Sequence, residues 1–327
     1  MKKINLGIVG VSGVVGQKFI EVLEEYGLLF DKVKFFASSK SKGKIIKFQT
    51  REITIEELEE GVFKDLDYVL FSAGSNVSKK WGIIAENEGA IVIDNSSAFR
   101  NDDDIPLIVS EINMEDYYLS KRKIIANPNC STIQCVVVLN ELKKLYNIDS
   151  VIYTTYQAIS GAGKRAIDDY LNDSSNYFPL NIKKTCIPLI GDILDNNYTQ
   201  EEIKMINETK KILHDKTIKV SSTCVRVPVL NSHAVSVIVK FKEKINIDDI
   251  KQKLSLSPSI VIMDDNNLNL FPSSLIANGN DLVYVGRLRI DLDNPNTLLF
   301  YCVSDNLRKG AASNAVQILS NLILKDQ

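Results

Sequence analysis

A strand, a glycine-rich turn and a helix open the chain, and this arrangement constrains the fold more than any other stretch. Residues 4–10 form an apolar run that ends in glycine. Glycines at positions 10, 13 and 16 give the spacing G-x-x-G-x-x-G, and residues 17–25 then carry apolar side chains at helical intervals. Backbone amides and a helix N-terminus can hold a pyrophosphate in such a turn, although a tight turn without a ligand has the same pattern.

The same alternation continues through the first part of the chain. Apolar runs predict buried strands at 34–37, 68–72, 91–93 and 123–126, each followed by small or polar residues. Alternation of this kind is typical of a doubly wound parallel sheet, which binds ligands beyond the carboxyl ends of its strands. We therefore predict an α/β protein with an N-terminal Rossmann-type domain that binds a nucleotide.

The residues after the second predicted strand indicate which nucleotide. An NAD-preferring site would place a carboxylate there for the ribose hydroxyls. The chain has Ser38, Ser39 and Lys40 instead, and hydroxyl and ammonium groups suit the additional phosphate of NADP. A solvated basic loop is the alternative interpretation.

The pattern changes after residue 128. Strand-like runs lie at 150–159, 218–229, 234–241, 282–290 and 298–303 without regular helices between them, which predicts a mixed, mostly antiparallel sheet with one face covered. Helices are predicted at 199–214 and 247–254. The amphipathic segment 306–324 is predicted to return to the first domain. The predicted domains are 1–128, completed by 306–327, and 129–305.

The segment Asn-Pro-Asn-Cys-Ser-Thr stands at this boundary. Pro128 ends a strand, and a helix is predicted over 132–146, with Ser131 or Thr132 expected to satisfy its free amides. Cys130 therefore lies at or beside a helix N-terminus, which favours the nucleophilic thiolate. A small buried apolar cysteine is the alternative, and the segment alone does not separate the two.

Two further groupings combine opposite charges or scarce residues. Thr199 and Glu202 form a capping-box pattern, which leaves Glu201 and Lys204 on one helical face, either as a surface ion pair or as part of a site. The strand around Arg226 is followed by a turn and by His233, one of only two histidines in the chain. A histidine at a strand end can equally be structural.

Composition excludes several classes of protein. The 327 residues have nearly balanced charge and a pI near 5.9, so nothing suggests binding to nucleic acid or to a membrane surface. No apolar run has the length of a membrane span. Five widely spaced cysteines without a C-x-x-C pair argue against a disulfide framework or a metal site, and predict a reducing cytoplasm.

Nine segments together resemble one family, the aspartate-β-semialdehyde dehydrogenases, in the family's order. They are residues 10–16, 37–40, 71–74, 94–100, 127–132, 156–163, 201–204, 226–233 and 305–310. The resemblance implies a homodimer, with a tetramer left open. It also implies a reaction in which β-aspartyl phosphate, NADPH and a proton interconvert with aspartate β-semialdehyde, NADP and phosphate, a step towards lysine, threonine and methionine.

The resemblance also implies roles for particular residues. Cys130 would be the nucleophile that becomes a thioester, His233 the acid/base with a pKa near neutral, and Gln157 the group that positions the reacting carbonyl. Five residues would bind the substrate: Arg226 its α-carboxylate, Glu201 its α-amino group, and Arg100, Asn129 and Lys204 its phosphate. The implied cofactor contacts are Gly10, Ser12, Gly13, Val14, Val15, Gly16, Ser38, Ser39, Lys40, Ser72, Ala73, Gly74, Ser160, Gly161, Ala162, Gly163 and Asn306.

A few positions depart from the family pattern. Lys40 stands where many relatives have arginine, and Ser232 and Ala234 flank His233 where glycine and serine are commoner.

Three rival functions remain. N-Acetyl-γ-glutamyl-phosphate reductase shares the acyl-phosphate chemistry but handles an uncharged nitrogen, which would not need Glu201. Glyceraldehyde-phosphate dehydrogenase has a differently built cysteine motif. An NADP-binding sensor would be expected to lack Cys130 or His233.

Overall fold

The computed structural model describes residues 3–326, which divide into two compact units. One contains residues 3–128 and 311–326, and the other contains residues 129–310. The strands are β1 (Asn5–Val9), β2 (Lys32–Phe36), β3 (Ile45–Phe48), β4 (Arg51–Glu56), β5 (Tyr68–Phe71), β6 (Ile91–Asp94), β7 (Ile124–Ala126), β8 (Ile148–Gln157), β9 (Lys219–Arg226), β10 (His233–Phe241), β11 (Ile260–Ile262), β12 (Val283–Ile290) and β13 (Thr297–Ser304). The helices are α1 (Val14–Glu25), α2 (Ser75–Asn87), α3 (Asp116–Leu119), α4 (Cys130–Lys143), α5 (Lys164–Leu171), α6 (Gln200–Ile212), α7 (Ile247–Ser255), α8 (Ser274–Ala277) and α9 (Ser313–Asp326).

The first unit is built on a sheet with strand order β3-β4-β2-β1-β5-β6-β7. All pairs are parallel except β3 with β4. The crossover from β1 through α1 to β2 and the reversal of strand order beside β1 confirm the predicted doubly wound α/β arrangement. The loops that follow β1, β2, β5 and β6 therefore meet at one edge of the sheet.

The hairpin of β3 and β4 did not follow from the sequence pattern. Its strands expose most of their residues, so they carry no continuous apolar run. The turn between them has no glycine, and Gln49 adopts a positive φ of 54° there. The two sequence signals that predict a hairpin, apolar strand patterns and a glycine-containing turn, are therefore both missing here.

The C-terminal helix completes the first unit, as predicted. Val316 and Leu319 of α9 belong to the same buried apolar cluster as Phe19 and Leu23 of α1. The regular helix begins at Ser313 and not at residue 306, because residues 308–312 form a π-helical turn.

The second unit contains a six-stranded sheet with the order β11-β12-β13-β10-β8-β9. Antiparallel pairing joins β12 to β13, β13 to β10 and β10 to β8, whereas β11 pairs with β12 and β8 with β9 in parallel. The predicted mixed, mostly antiparallel sheet is confirmed. Helix α4 is buried along most of its length, including all of residues 131–139, so it forms the centre of this unit.

Candidate active site

Asn129 starts the helix that carries Cys130. Its backbone is extended, and its side-chain Oδ1 accepts hydrogen bonds from the amides of Ser131 at 2.9 Å and Thr132 at 3.3 Å. The expectation that Ser131 or Thr132 caps the helix is therefore wrong. Because the cap lies at Asn129, α4 begins at Cys130, two residues earlier than predicted.

Cys130 occupies the first helical position of α4 and is partly exposed. A Cβ atom added to Gly310 would lie only 2.8 Å from Cβ of Cys130, so a glycine is needed at that approach. The positive charge of Arg226 interacts with the charge of the Cys130 thiolate. Partial exposure, a helix N-terminus and a nearby cation are the conditions under which a thiolate is reactive.

Glu201 connects several of the predicted site residues. Its Oε1 accepts hydrogen bonds from Nδ2 of Asn129 at 2.7 Å and from Nε2 of Gln157 at 3.0 Å, and its Oε2 accepts one from Nζ of Lys204 at 3.0 Å. Glu201 is 6% exposed, so its pair with Lys204 is not the surface ion pair considered as an alternative. Burial opposes ionisation of Glu201, but Lys204 and these hydrogen bonds lower its pKa to about 2.

The peptide groups of Ala158 hold two further site residues. The Ala158 amide donates to Nδ1 of His233 at 2.9 Å, and the Ala158 carbonyl accepts from Nη1 of Arg226 at 2.6 Å. Ala158 directly follows β8, Arg226 ends β9 and His233 begins β10, so three strand ends of one sheet bring these groups together.

The electrostatic state of His233 differs from the expectation. Burial, together with the positive charge of Arg226, lowers the pKa of His233 to about 3, not to the near-neutral value expected. Because Nδ1 accepts the Ala158 hydrogen bond, the neutral ring carries its hydrogen on Nε2. The buried Nε2 atom has no protein partner within the described part of the chain, so its N–H is available to a ligand.

The turn predicted to contact the cofactor lies beside this histidine. A Cβ atom on Gly161 would stand 3.1 Å from Cε1 and Nε2 of His233, which explains a glycine there. Asn306 donates from Nδ2 to Oγ of Ser160 at 3.0 Å and accepts at Oδ1 from the amide of Ser232 at 2.8 Å. Ser160 and Asn306 are both buried, and the hydrogen bonds described here join them to protein groups. Ala162 ends the short helical turn here and Gly163 follows it at a φ of 84°.

The first unit contains the glycine turn. A Cβ on Gly10, which has a φ of 81°, would lie 2.7 Å from the carbonyl oxygen of Ser72, and a Cβ on Gly16 would collide with the carbonyl of Gly10. Gly13 precedes α1, whose first turn has neither a side-chain cap nor an acidic residue. The turn thus presents free helix amides beside Ser12, Val14 and Val15, which is the arrangement that accepts a pyrophosphate.

The other predicted residues of the first unit lie at strand ends of the same sheet edge. Ser38, Ser39 and Lys40 follow β2 and are exposed. Ser72, Ala73 and Gly74 join β5 to α2, and the hydroxyl of Ser72 donates to the carbonyl of Gly10 at 3.2 Å. Arg100 lies in the segment after β6, where its Nη2 donates to the carbonyl of Asn95 at 3.0 Å. The roles assigned to these residues stay predictions.

Sequence reasoning missed three contributors. Glu208 accepts a hydrogen bond at Oε2 from the backbone amide of Asn129 at 2.6 Å. The spacing of seven residues from Glu201, two helical turns, was the available signal. Gly310 was recognised only as part of a family segment. Ala158 acts through its main chain, which no side-chain pattern reveals.

Two family models match the chain. One is the NAD binding domain of semialdehyde dehydrogenases, over residues 5–119, and the other is the dimerisation domain of semialdehyde dehydrogenases, over residues 139–309. Matches to the NAD binding domain and then to the dimerisation domain, in this order, define the chain as a semialdehyde dehydrogenase. The matches support a nicotinamide cofactor and oligomerisation.

Individual relatives narrow the class. Aspartate-semialdehyde dehydrogenase of Aquifex aeolicus is 42% identical over 331 residues, covering 97% of this chain and 97% of the relative, and that of Campylobacter jejuni is 41% identical over 332 residues, covering 97% and 96%. The crystal structure of Vibrio cholerae aspartate semialdehyde dehydrogenase II complexed with ASA has a TM-score of 0.95 at 39% identity and 99% coverage of both chains. The chain belongs to the aspartate-semialdehyde dehydrogenase family of enzymes.

Between residues 3 and 326, no helix combines the length and apolar character required to cross a bilayer. Over the same described range, no cluster of three His, Cys, Asp or Glu side chains is arranged to hold a metal ion.

Proposed function

We propose that this enzyme converts β-aspartyl phosphate to aspartate β-semialdehyde, reversibly and with phosphate release, through a thioester on Cys130 and with NADP as cofactor. The observation that carries the proposal is the convergence of Cys130, Arg226 and His233 in one unit of a chain about 40% identical to aspartate-semialdehyde dehydrogenases. We further propose a homodimer in the cytoplasm, acting in the synthesis of lysine, threonine and methionine.

The nucleophile follows from the position of Cys130. Its thiolate attacks the acyl carbon of the phosphate anhydride, the C–O bond to phosphate breaks, and a thioester remains on Sγ. In the reverse direction the thiolate adds to the aldehyde carbon, loss of a hydride to the nicotinamide would leave the thioester, and phosphate would then displace the sulfur to give the acyl phosphate. A helix N-terminus and the Arg226 charge both favour the thiolate form that attacks.

His233 acts in this proposal through its Nε2 hydrogen. The hydrogen bond from Ala158 fixes Nδ1 as the acceptor, and the low pKa keeps the ring neutral. A neutral Nε2–H can donate to the oxygen of the reacting carbonyl as negative charge develops on it. Gln157 and Glu201, which are hydrogen-bonded to each other, form the adjoining polar wall.

The residues of the glycine turn fit a dinucleotide. Gly10 and Gly16 let the backbone of the turn pack closely, because a Cβ at either position would collide with the carbonyl of Ser72 or of Gly10, and the free amides of the first turn of α1 suit a pyrophosphate. Lys40, with Ser38 and Ser39, would bind the phosphate that distinguishes NADP from NAD; a structural neighbour from Candida albicans, 25% identical with a TM-score of 0.79, is described with NADP. When bound, the nicotinamide supplies or accepts the hydride.

Substrate selection rests on Arg226 and on the comparison with relatives. A guanidinium binds a carboxylate at two points, which suits the α-carboxylate of an amino acid. Glu201 remains our candidate for the α-amino group, although both its oxygens already accept hydrogen bonds from protein groups. Oε1 already accepts from both Asn129 and Gln157, but Oε2, which accepts from Lys204, can take a second hydrogen bond, so the two roles are compatible.

The test is an assay of nicotinamide reduction with aspartate semialdehyde, with and without inorganic phosphate. We expect reduction of NADP that depends on phosphate and is abolished in Cys130→Ala. Cys135→Ala, on the same helix but buried, is the matched control and should retain most activity. Equal use of N-acetylglutamate semialdehyde would instead favour the N-acetyl-γ-glutamyl-phosphate reductase reaction.

A further inference from the structure

Helix α6 presents two buried carboxylates to the residue that precedes the nucleophile. Glu201 and Glu208 are seven residues apart and so lie on one face of the helix. Glu201 accepts from the side-chain amide of Asn129 at 2.7 Å, and Glu208 accepts from its backbone amide at 2.6 Å. Helix α6 thus holds Asn129 at two points.

The remaining polar groups of Asn129 are also engaged. Its Oδ1 accepts from the amides of Ser131 and Thr132, and its carbonyl accepts from the amide of Ile133 at 3.1 Å. With every type of hydrogen-bonding group on Asn129 engaged within this unit, its backbone conformation is fixed. The position of Cys130, the next residue, follows from that conformation.

Burial makes the contact of Glu208 informative. Glu208 is only 1% exposed, and a buried carboxylate is costly unless its oxygens are paired. Between the two carboxylates, Met205 accepts a hydrogen bond at sulfur from Oγ1 of Thr132 at 3.3 Å. The contact surface between α6 and the start of α4 is therefore continuous over two turns.

We propose that Glu208 is a positioning residue for Cys130. It holds the backbone amide of Asn129 and thereby keeps the N-terminal turn of α4, and the thiolate on it, in a fixed orientation. The inference rests on the proposed function only in taking Cys130 as the nucleophile. Glu208 itself contacts no reacting atom in this scheme.

Positioning and charge lead to opposite expectations. A carboxylate near a thiol raises the thiol pKa, so loss of the Glu208 charge alone would make Cys130 more reactive. Loss of the hold on Asn129 would loosen the helix start, weaken stabilisation of the thiolate and make Cys130 less reactive. Whether Cys130 becomes more or less reactive therefore distinguishes an effect of the Glu208 charge from an effect of positioning.

The experiment compares four variants. Glu208→Met removes the acceptor at similar volume, Glu208→Gln keeps an oxygen that can accept, and Glu208→Asp keeps the charge on a shorter side chain. Glu202→Met is the matched control, because Glu202 is a buried carboxylate of the same helix whose two oxygens accept backbone hydrogen bonds from Thr199 and Cys224 and not from Asn129.

Two readouts are used. Iodoacetamide alkylation of Cys130 across pH, measured by mass spectrometry with exposed Cys186 as internal standard, needs no substrate. Steady-state assays with aspartate semialdehyde give kcat and KM separately. We expect Glu208→Met to slow alkylation of Cys130 at pH 7 by about tenfold or more and to lower kcat by about a hundredfold with KM nearly unchanged.

The conservative variants complete the expectation. Glu208→Gln should regain most of the alkylation rate, whereas Glu208→Asp should remain slow although its charge is intact; if Glu208→Met fails to fold, these two decide the matter. Alkylation as fast as or faster than the parent in Glu208→Met and Glu208→Asp, or equal slowing in Glu202→Met, would overturn the proposal. Because alkylation is independent of substrate, absence of dehydrogenase activity would count against the proposed function and not against this inference.

Discussion

The main-chain amide of Ala158 donates a hydrogen bond to Nδ1 of His233 over 2.9 Å. This contact determines which nitrogen of the ring carries hydrogen, and the carbonyl of the same residue binds Arg226. The pKa of His233 is about 3 because the ring is buried beside that guanidinium. The histidine is therefore a neutral hydrogen-bond donor throughout the physiological range of pH.

This state can be observed by nuclear magnetic resonance. The Cε1 proton resonance of His233 should not shift between about pH 8 and 4.5, since the ring binds a proton only as the pH falls towards its low pKa. The nitrogen shifts should identify the Nε2–H form. With only two histidines in the chain, a His233→Asn spectrum assigns the signal. An inflection between pH 6 and 7 would contradict this description.

The proposed preference for NADP would depend on Lys40, which is exposed. Lys40→Ala should weaken NADP binding by about 1.5–3 kcal/mol, the range for a hydrogen bond to a charged group, and should leave NAD binding unchanged. Lys42→Ala is the control, because Lys42 lies in the same loop and pairs with Glu57 at 3.4 Å. Titration of both cofactors by fluorescence measures the effect. Equal losses for NADP and NAD would show that Lys40 does not recognise the additional phosphate.

Glu201 should make the unfolding free energy depend on pH in the acid range. Its pKa is lowered from 4.5 to about 2, so the folded protein binds fewer protons than the unfolded chain between those values. The contribution, roughly 3 kcal/mol, is complete above pH 4.5 and is lost as the pH falls towards 2.

Urea unfolding at several pH values tests this dependence. The difference in unfolding free energy between the parent and Glu201→Gln should narrow from pH 6 to pH 3. Lys204→Met should move the loss to higher pH, because Lys204 is the leading cause that lowers the pKa of Glu201. A difference that stays constant with pH would argue that Glu201 is not ionised in this setting.

Ser232 carries a backbone conformation that favours glycine. Its φ is 71°, the residue is 1% exposed, and its hydroxyl has no hydrogen-bond partner among the residues that the structure describes. Ser232→Gly removes both the strain and the unsatisfied hydroxyl, and the extra freedom of the unfolded chain offsets part of the gain. We expect a net increase in unfolding free energy of about 1 kcal/mol.

A second substitution separates the two causes. Ser232→Ala removes the hydroxyl and keeps the positive φ, so it should stabilise less than Ser232→Gly in the same denaturant experiment. The contact from the backbone amide of Ser232 to Asn306 is preserved in both variants. If Ser232→Gly were less stable than the parent, the backbone strain would be too small to matter at this position.

The sequence alone determined the class of fold. Apolar runs and glycine spacing record burial and local backbone conformation, which act over a few residues. They therefore predicted the α/β alternation before residue 128, the mixed sheet after it and the return of the C-terminal helix. They failed at the β3–β4 hairpin, whose exposed strands leave no continuous apolar run.

Several residues of the candidate site could also be named from sequence, but their partners could not. Cys130, Arg226 and His233 were recognisable by residue type, family spacing and position at element ends. The hydrogen bond from Asn129 to Glu201, the Ala158 amide that fixes the His233 tautomer and the contact of Glu208 with Asn129 join residues 72, 75 and 79 positions apart, and the last two act through the main chain. Only the tertiary structure decided them, because hydrogen bonds and pKa shifts depend on distance and burial in the folded protein, and neither is written in the local pattern of the chain.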